Sequence, residues 1–123
     1  MIKFKSLNQS KKFVEILKKK RLSTKYYIIY FMKNKRQLEN NSNQYLNISF
    51  VMKKNIGNAV KRNKIKRKLK STVQKILNEK QPIDLNCTYV VFGKNNVYKD
   101  NFRYIFEEMC KTFKKIKHME LTQ

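Results

Sequence analysis

Residues 45–52 alternate, with Leu46, Ile48, Phe50 and Met52 on one side of an extended chain and Tyr45, Asn47, Ser49 and Val51 on the other. Successive strand residues face opposite ways, so this segment predicts a strand with one buried face. Residues 26–32, YYIIYFM, are too short and too aromatic for a free helix and predict another strand. Hairpin logic makes these two antiparallel neighbours joined by the polar loop 36–44. Residues 87–93, CTYVVFG, are almost continuously apolar, as expected of a strand interior to the sheet.

Three other segments carry the helical repeat instead. Ser10 is placed as N-cap of a helix to about Lys20 whose Phe13, Ile16 and Leu17 share a face. Gly57-Asn58 opens a long helix to about Asn78, with Ile65, Leu69, Val73, Ile76 and Leu77 as its buried arc and Pro82 beyond its end. Asp100 or Asn101 caps a last helix carrying Phe102, Ile105, Phe106, Met109, Phe113 and Ile116. The order is helix, strands, helix, strand, helix. With two Gly, one Pro and no repeat, the expectation is a single α+β domain over residues 1–123, a mixed sheet packed by helices, with about 1–8 and 118–123 as loose ends.

Charge then narrows the function. Thirty Lys and Arg against eight Asp and Glu give a formal +22, and self-repulsion of that size opposes folding unless a polyanion neutralises it. Nucleic acid is the natural partner. No apolar run approaches the ~20 residues of a spanning helix, and the start MIKFK lacks a signal-peptide core, so no membrane role and a cytoplasmic location are expected. Cys87 and Cys110 lack metal-ligand or disulfide spacing and read as buried apolar residues of a reducing compartment.

Between residues 53 and 70 stand Lys53, Lys54, Lys61, Arg62, Lys64, Lys66, Arg67, Lys68 and Lys70, without one acid. At 100° per residue, Lys61, Lys64, Arg67 and Lys68 are expected to gather with Asn63 opposite Ile65 and Leu69, with Arg62 near the buried arc. Cations in a first turn oppose the helix dipole, and a phosphate docked on the amides near Gly57, Asn58 and Ala59 would relieve the conflict.

The segment GNAVKRNKIKRKLK, residues 57–70, resembles the signature of the bacterial ribonuclease P protein family, including its Arg-Asn followed by Lys-Arg. Lys64 and Lys70 stand where the family often has Arg, which keeps charge while losing planar, two-pronged phosphate contacts. The resemblance implies a left-handed strand–helix–strand crossover of the kind seen in a ribosomal protein domain, an exception to the usual hand. It further implies that Lys53, Lys54, Lys61, Arg62, Asn63, Lys64, Lys66, Arg67 and Lys70 contact ribonuclease P RNA. A cleft among the first helix, the basic helix and the sheet, with Phe13, Leu17, Tyr27 and Tyr30, would hold the 5′ leader of precursor tRNA.

Protein-based hydrolysis of a phosphodiester through metal ions needs clustered carboxylates, and the eight acids here are scattered. Glu107-Glu108 points two ways on its helix and is expected to pair with neighbouring Lys; His118 reads as a surface residue. No catalytic or metal-binding residue is therefore expected in the protein. The resemblance assigns catalysis to the RNA with Mg²⁺ and implies no small-molecule substrate.

Overall fold

The computed structural model describes residues 2–7, 9–34 and 45–121, with side chains through 119. The chain runs β1 (Lys3–Lys5), α1 (Ser10–Leu17), β2 (Lys20–Ser23), β3 (Tyr27–Lys33), β4 (Tyr45–Val51), a 3₁₀ turn (Lys54–Ile56), α2 (Ala59–Asn78), β5 (Cys87–Gly93), α3 (Asn96–Lys99) and α4 (Phe102–Leu121). The expected loop 36–44 lies outside the described residues.

The three expected strands form, in a five-stranded sheet ordered β1-β4-β5-β3-β2. The hairpin expectation fails. β5 sits between β3 and β4, antiparallel to the first and parallel to the second, so β3 and β4 run oppositely without pairing. The apolar continuity of β5 is the reason: buried on both faces, it belongs at the centre. α2 carries the crossover between the parallel neighbours β4 and β5.

Two edge strands were not expected. Lys3–Lys5 adds to β4 in parallel, inside the segment read as a loose N-terminal end, and Lys20–Ser23 adds to β3. Both are short and lysine-bearing, which leaves little periodic signal and blunts a sheet edge. α1 stops at Leu17 so that β2 can start, and Gln9 rather than Ser10 occupies its N-cap position. α4 continues through Leu121, past the expected fraying point at His118.

Register divides the sheet into unlike faces. On one, Tyr27, Ile29 and Phe31 of β3, Leu46 and Ile48 of β4, and Tyr89 and Val91 of β5 pack with Ile65, Leu69, Val73 and Ile76 of α2 and Ile105, Met109, Phe113 and Ile116 of α4. Each such side chain contributes about 1.5 to 3 kcal/mol by leaving water. Tyr89 and Phe113 meet edge to face at 5.1 Å, and the Tyr27 hydroxyl hydrogen-bonds Thr112 Oγ1 at 2.6 Å. Burial pushes the Tyr27 and Tyr89 phenols well above their ordinary range.

The other face carries α1. Ile16 and Val90 are fully buried there yet stand outside the main core cluster, forming a second, thinner apolar layer. Among the described residues, no helix is long and apolar enough to cross a membrane.

Candidate nucleic-acid interface

The basic helix starts as its sequence predicts. Asn58 is the N-cap, with extended backbone, and its Oδ1 accepts from Lys61 N–H at 2.9 Å. Gly57 has φ of 151°, a conformation that residues with a Cβ rarely adopt, so glycine suits the bend between the 3₁₀ turn and α2.

The cations of α2 then separate into two groups. Arg62 folds back over the turn, its Nη1 donating to Gly57 O at 2.7 Å and Lys54 O at 3.3 Å. Lys61 Nζ lies 5.1 Å from the Tyr98 ring centroid, and Lys68 Nζ donates to Asp100 O at 2.5 Å. The chain's own carbonyls and a ring thus hold cations that were expected to stand free. Lys61 and Lys68 flank the buried arc rather than oppose it, because α3 and the start of α4 pack alongside. Asn63, Lys64, Lys66, Arg67 and Lys70 are the exposed set, with Lys53 and Lys54 exposed on the preceding turn.

The second group of expected site residues meets on the α1 face. The Phe13 ring lies 6.5 Å from Phe92 and the Tyr30 ring 5.6 Å from Phe92, both edge to face. Arg21 Nη1 donates to Tyr30 Oη at 3.4 Å. Phe13, Leu17, Tyr30 and Phe92 are half-buried, so each keeps surface towards solvent. The sequence marks Phe92 only as part of an interior strand. Its place two residues beyond Val90 on the alternating strand was the available signal, hidden by the apolar continuity of β5. Tyr27 must be withdrawn from this cleft: it is fully buried on the opposite face against Thr112. The cleft also lacks α2 as a wall, since that helix packs on the other side of the sheet.

Polar groups fill out the α1 face. Ser49 Oγ accepts from Leu7 N–H at 2.8 Å, and Thr88 Oγ1 donates to Asn34 Oδ1. Register puts Lys3 and Lys5 of β1 on this side with Tyr45 and Asn47, and Lys5 Nζ lies 5.8 Å from the Tyr45 ring centroid. The face is therefore an aromatic strip with a basic border.

The titratable groups elsewhere are structural. Asp100 accepts from Tyr26 Oη at 2.7 Å and pairs with Lys25 at 3.1 Å, and these two partners hold its carboxyl below the usual range. Desolvation, followed by the bond to Asp100, pushes the Tyr26 phenol up to about 12. Asn101, not Asp100, caps α4, its Oδ1 accepting from Arg103 N–H. Glu107 pairs with Arg103 at 3.3 Å. Cys87 is buried, while Cys110 is only half-buried, its thiol pushed up by desolvation. Among the described residues, no three His, Cys, Asp or Glu gather to hold a metal ion.

The family model for ribonuclease P matches residues 1–117. The chain belongs to that family. Membership makes it a protein component of an endoribonuclease complex with a role in tRNA processing and with an RNA partner. It is 31% identical over 121 residues to the ribonuclease P protein component of Mesomycoplasma hyopneumoniae, strains 7448 and J, covering 98% of this chain and 99% of each relative. Its fold is similar to the ribonuclease P protein of Thermotoga maritima, with TM-score 0.70, 22% identity, and 90% and 96% of the two chains covered. The Staphylococcus aureus ribonuclease P protein is similar at TM-score 0.64 and 20% identity, with 91% and 94% covered.

Proposed function

We propose that the exposed side of α2 binds the catalytic RNA of ribonuclease P and that the α1 face of the sheet holds the 5′ leader of precursor tRNA. The segregation of cations on α2 carries this reading: Lys64, Lys66, Arg67 and Lys70, with Asn63 beside them, are exposed, while Arg62, Lys61 and Lys68 are drawn in against the chain's own carbonyls and the Tyr98 ring. A row of solvent-exposed cations suits a phosphate backbone, which positions a complex without reading sequence. On the opposite face, Phe13, Tyr30 and Phe92 offer rings at a half-buried depth, which suits unstacked bases of a single strand better than a duplex.

In this reading the protein assists endonucleolytic removal of the leader and the RNA, with Mg²⁺, performs the chemistry. The described residues form no carboxylate cluster for a divalent ion, so no step is assigned to the protein through one. The protein's part is electrostatic: cations on α2 replace part of the counterion atmosphere that Mg²⁺ would otherwise supply.

The deciding experiment is reconstitution. Purified protein added to a bacterial ribonuclease P RNA should restore precursor cleavage at Mg²⁺ concentrations where the RNA alone is slow, and protein without RNA should cleave nothing. Protein-only turnover after complete removal of RNA, or no stimulation at any ratio, would overturn the reading.

A further inference from the structure

Where β1 meets the flank of α2, the surface opens into a groove lined by Ile2, Lys3, Phe4, Arg67, Lys70, Ser71 and Gln74. Its floor is apolar and its rim is cationic, with no acid among the lining residues. Phe4 is half-buried, packed 6.3 Å from the Phe50 ring at 45° and 6.0 Å beneath Lys70 Nζ. Lys70 is thus held over an aromatic ring instead of extending freely, while Arg67 stands exposed on the same side of α2.

An apolar hollow bordered by unpaired cations is poorly explained by solvation alone, because like charges around a recess repel and no acid offsets them. A nucleotide satisfies every part of it. The base rests on the apolar floor, its edge meets Ser71 and Gln74, and its phosphate is reached by Arg67 and Lys70. A paired base inside a helix has no free face to insert, so the occupant must be unpaired.

We propose that this groove receives one unpaired nucleotide of the RNA partner, adding base stacking to the phosphate contacts of α2. The inference rests on the RNA-binding reading of α2 given above. It concerns a site separate from the α1 face, on the other side of the sheet, where Phe4 shares a register pair with core residue Leu46.

The test uses full-length protein and ribonuclease P RNA without substrate, with binding followed across a salt series. Phe4→Leu keeps apolar filling but removes the stacking face, and should weaken binding about 5- to 100-fold with the salt slope unchanged. Phe4→Tyr should bind as wild type. Ser71→Trp, at an exposed position, fills the groove without altering charge or core and should give a comparable loss with an unchanged melting temperature, which decides the matter even if Phe4→Leu fails to fold. Wild-type affinity in both the Leu and the Trp variants would overturn the groove, as would a loss in Phe4→Leu that comes wholly as a reduced salt slope. Failure of the wild-type protein to bind the RNA would instead strike the reading of α2 itself.

Discussion

The two faces of the sheet are built from the same strands and differ in what covers them. Towards α2 and α4, Tyr27, Ile29, Phe31, Tyr89 and Val91 lose essentially all contact with water. Towards α1, among the described residues, one eight-residue helix covers the sheet, and Phe13, Tyr30 and Phe92 remain half-buried. A thin cover leaves rings within reach of a ligand, whereas the thick layer supplies the stability that lets the other side stay open. In a chain of +22 this division matters, because the folded state must withstand its own repulsion before any RNA arrives.

The comparison breaks most visibly at the covered face. Phe31→Ala should cost about 3 to 5 kcal/mol of stability, since it removes a ring from a packed core. The folded fraction should still discriminate precursor from mature tRNA as wild type does. Chemical denaturation and paired affinity measurements check both halves. A Phe31→Ala protein of near-normal stability would show that the face towards α2 is not the stabilising one.

On the thin side the expectation inverts. Phe13→Ala should weaken precursor tRNA binding by about 1 to 3 kcal/mol, the worth of one stacked base, while mature tRNA binding holds. Phe13 meets Phe92 at the layer's edge and not in the main core, so the melting temperature should fall less than for Phe31→Ala. Stability loss with an unchanged precursor-to-mature ratio would make Phe13 ordinary packing.

Much of this was legible in the residues, and the failures have physical causes. Periodicity located all three long strands and the helices α1, α2 and α4, because each has a repeat that survives reading one segment at a time. It could not place β5 between β3 and β4, since strand order is decided by which segment buries both faces. Alternation in β3 separates Tyr27 from Tyr30 only by side, and nothing local tells which side the long helices will cover. The basic segment showed its charge in full; the fate of Arg62, Lys61 and Lys68 depended on Gly57, Tyr98 and Asp100, which the helical wheel omits.

α2 repeats the contrast on a smaller scale, with engaged cations inward and exposed ones outward. Arg62→Ala removes two charge-assisted bonds to carbonyls and should lower stability by about 1.5 to 3 kcal/mol, with little change in the salt slope of RNA binding. Arg67→Ala should do the reverse, leaving stability near wild type and lowering the slope by about 0.7 to 0.9 for one lost phosphate contact. Identical salt slopes in the two variants would erase the inner and outer division of the helix.

The smallest effect lies at the rim of the covered face, where Asp100 ties Tyr26 and Lys25 to the start of α4. The Tyr26 hydroxyl, followed by Lys25, holds the Asp100 carboxyl below its ordinary value of 3.8. A depressed carboxyl stabilises the fold fully above its unfolded value, and that contribution disappears as pH falls through the lower folded value. Tyr26 works from the other end: raised from 10.0 to about 12, it stabilises fully below 10.0 and ceases to do so as pH rises through about 12. Asp100→Asn abolishes the acid arm and, by removing a negative neighbour, shortens the alkaline one. Melting temperature plotted against pH should therefore be flatter for Asp100→Asn than for wild type below 3.8 and above 10.0, with the two proteins parallel between. Equal acid slopes in both proteins would mean that the Tyr26–Asp100–Lys25 tie does not hold the rim closed.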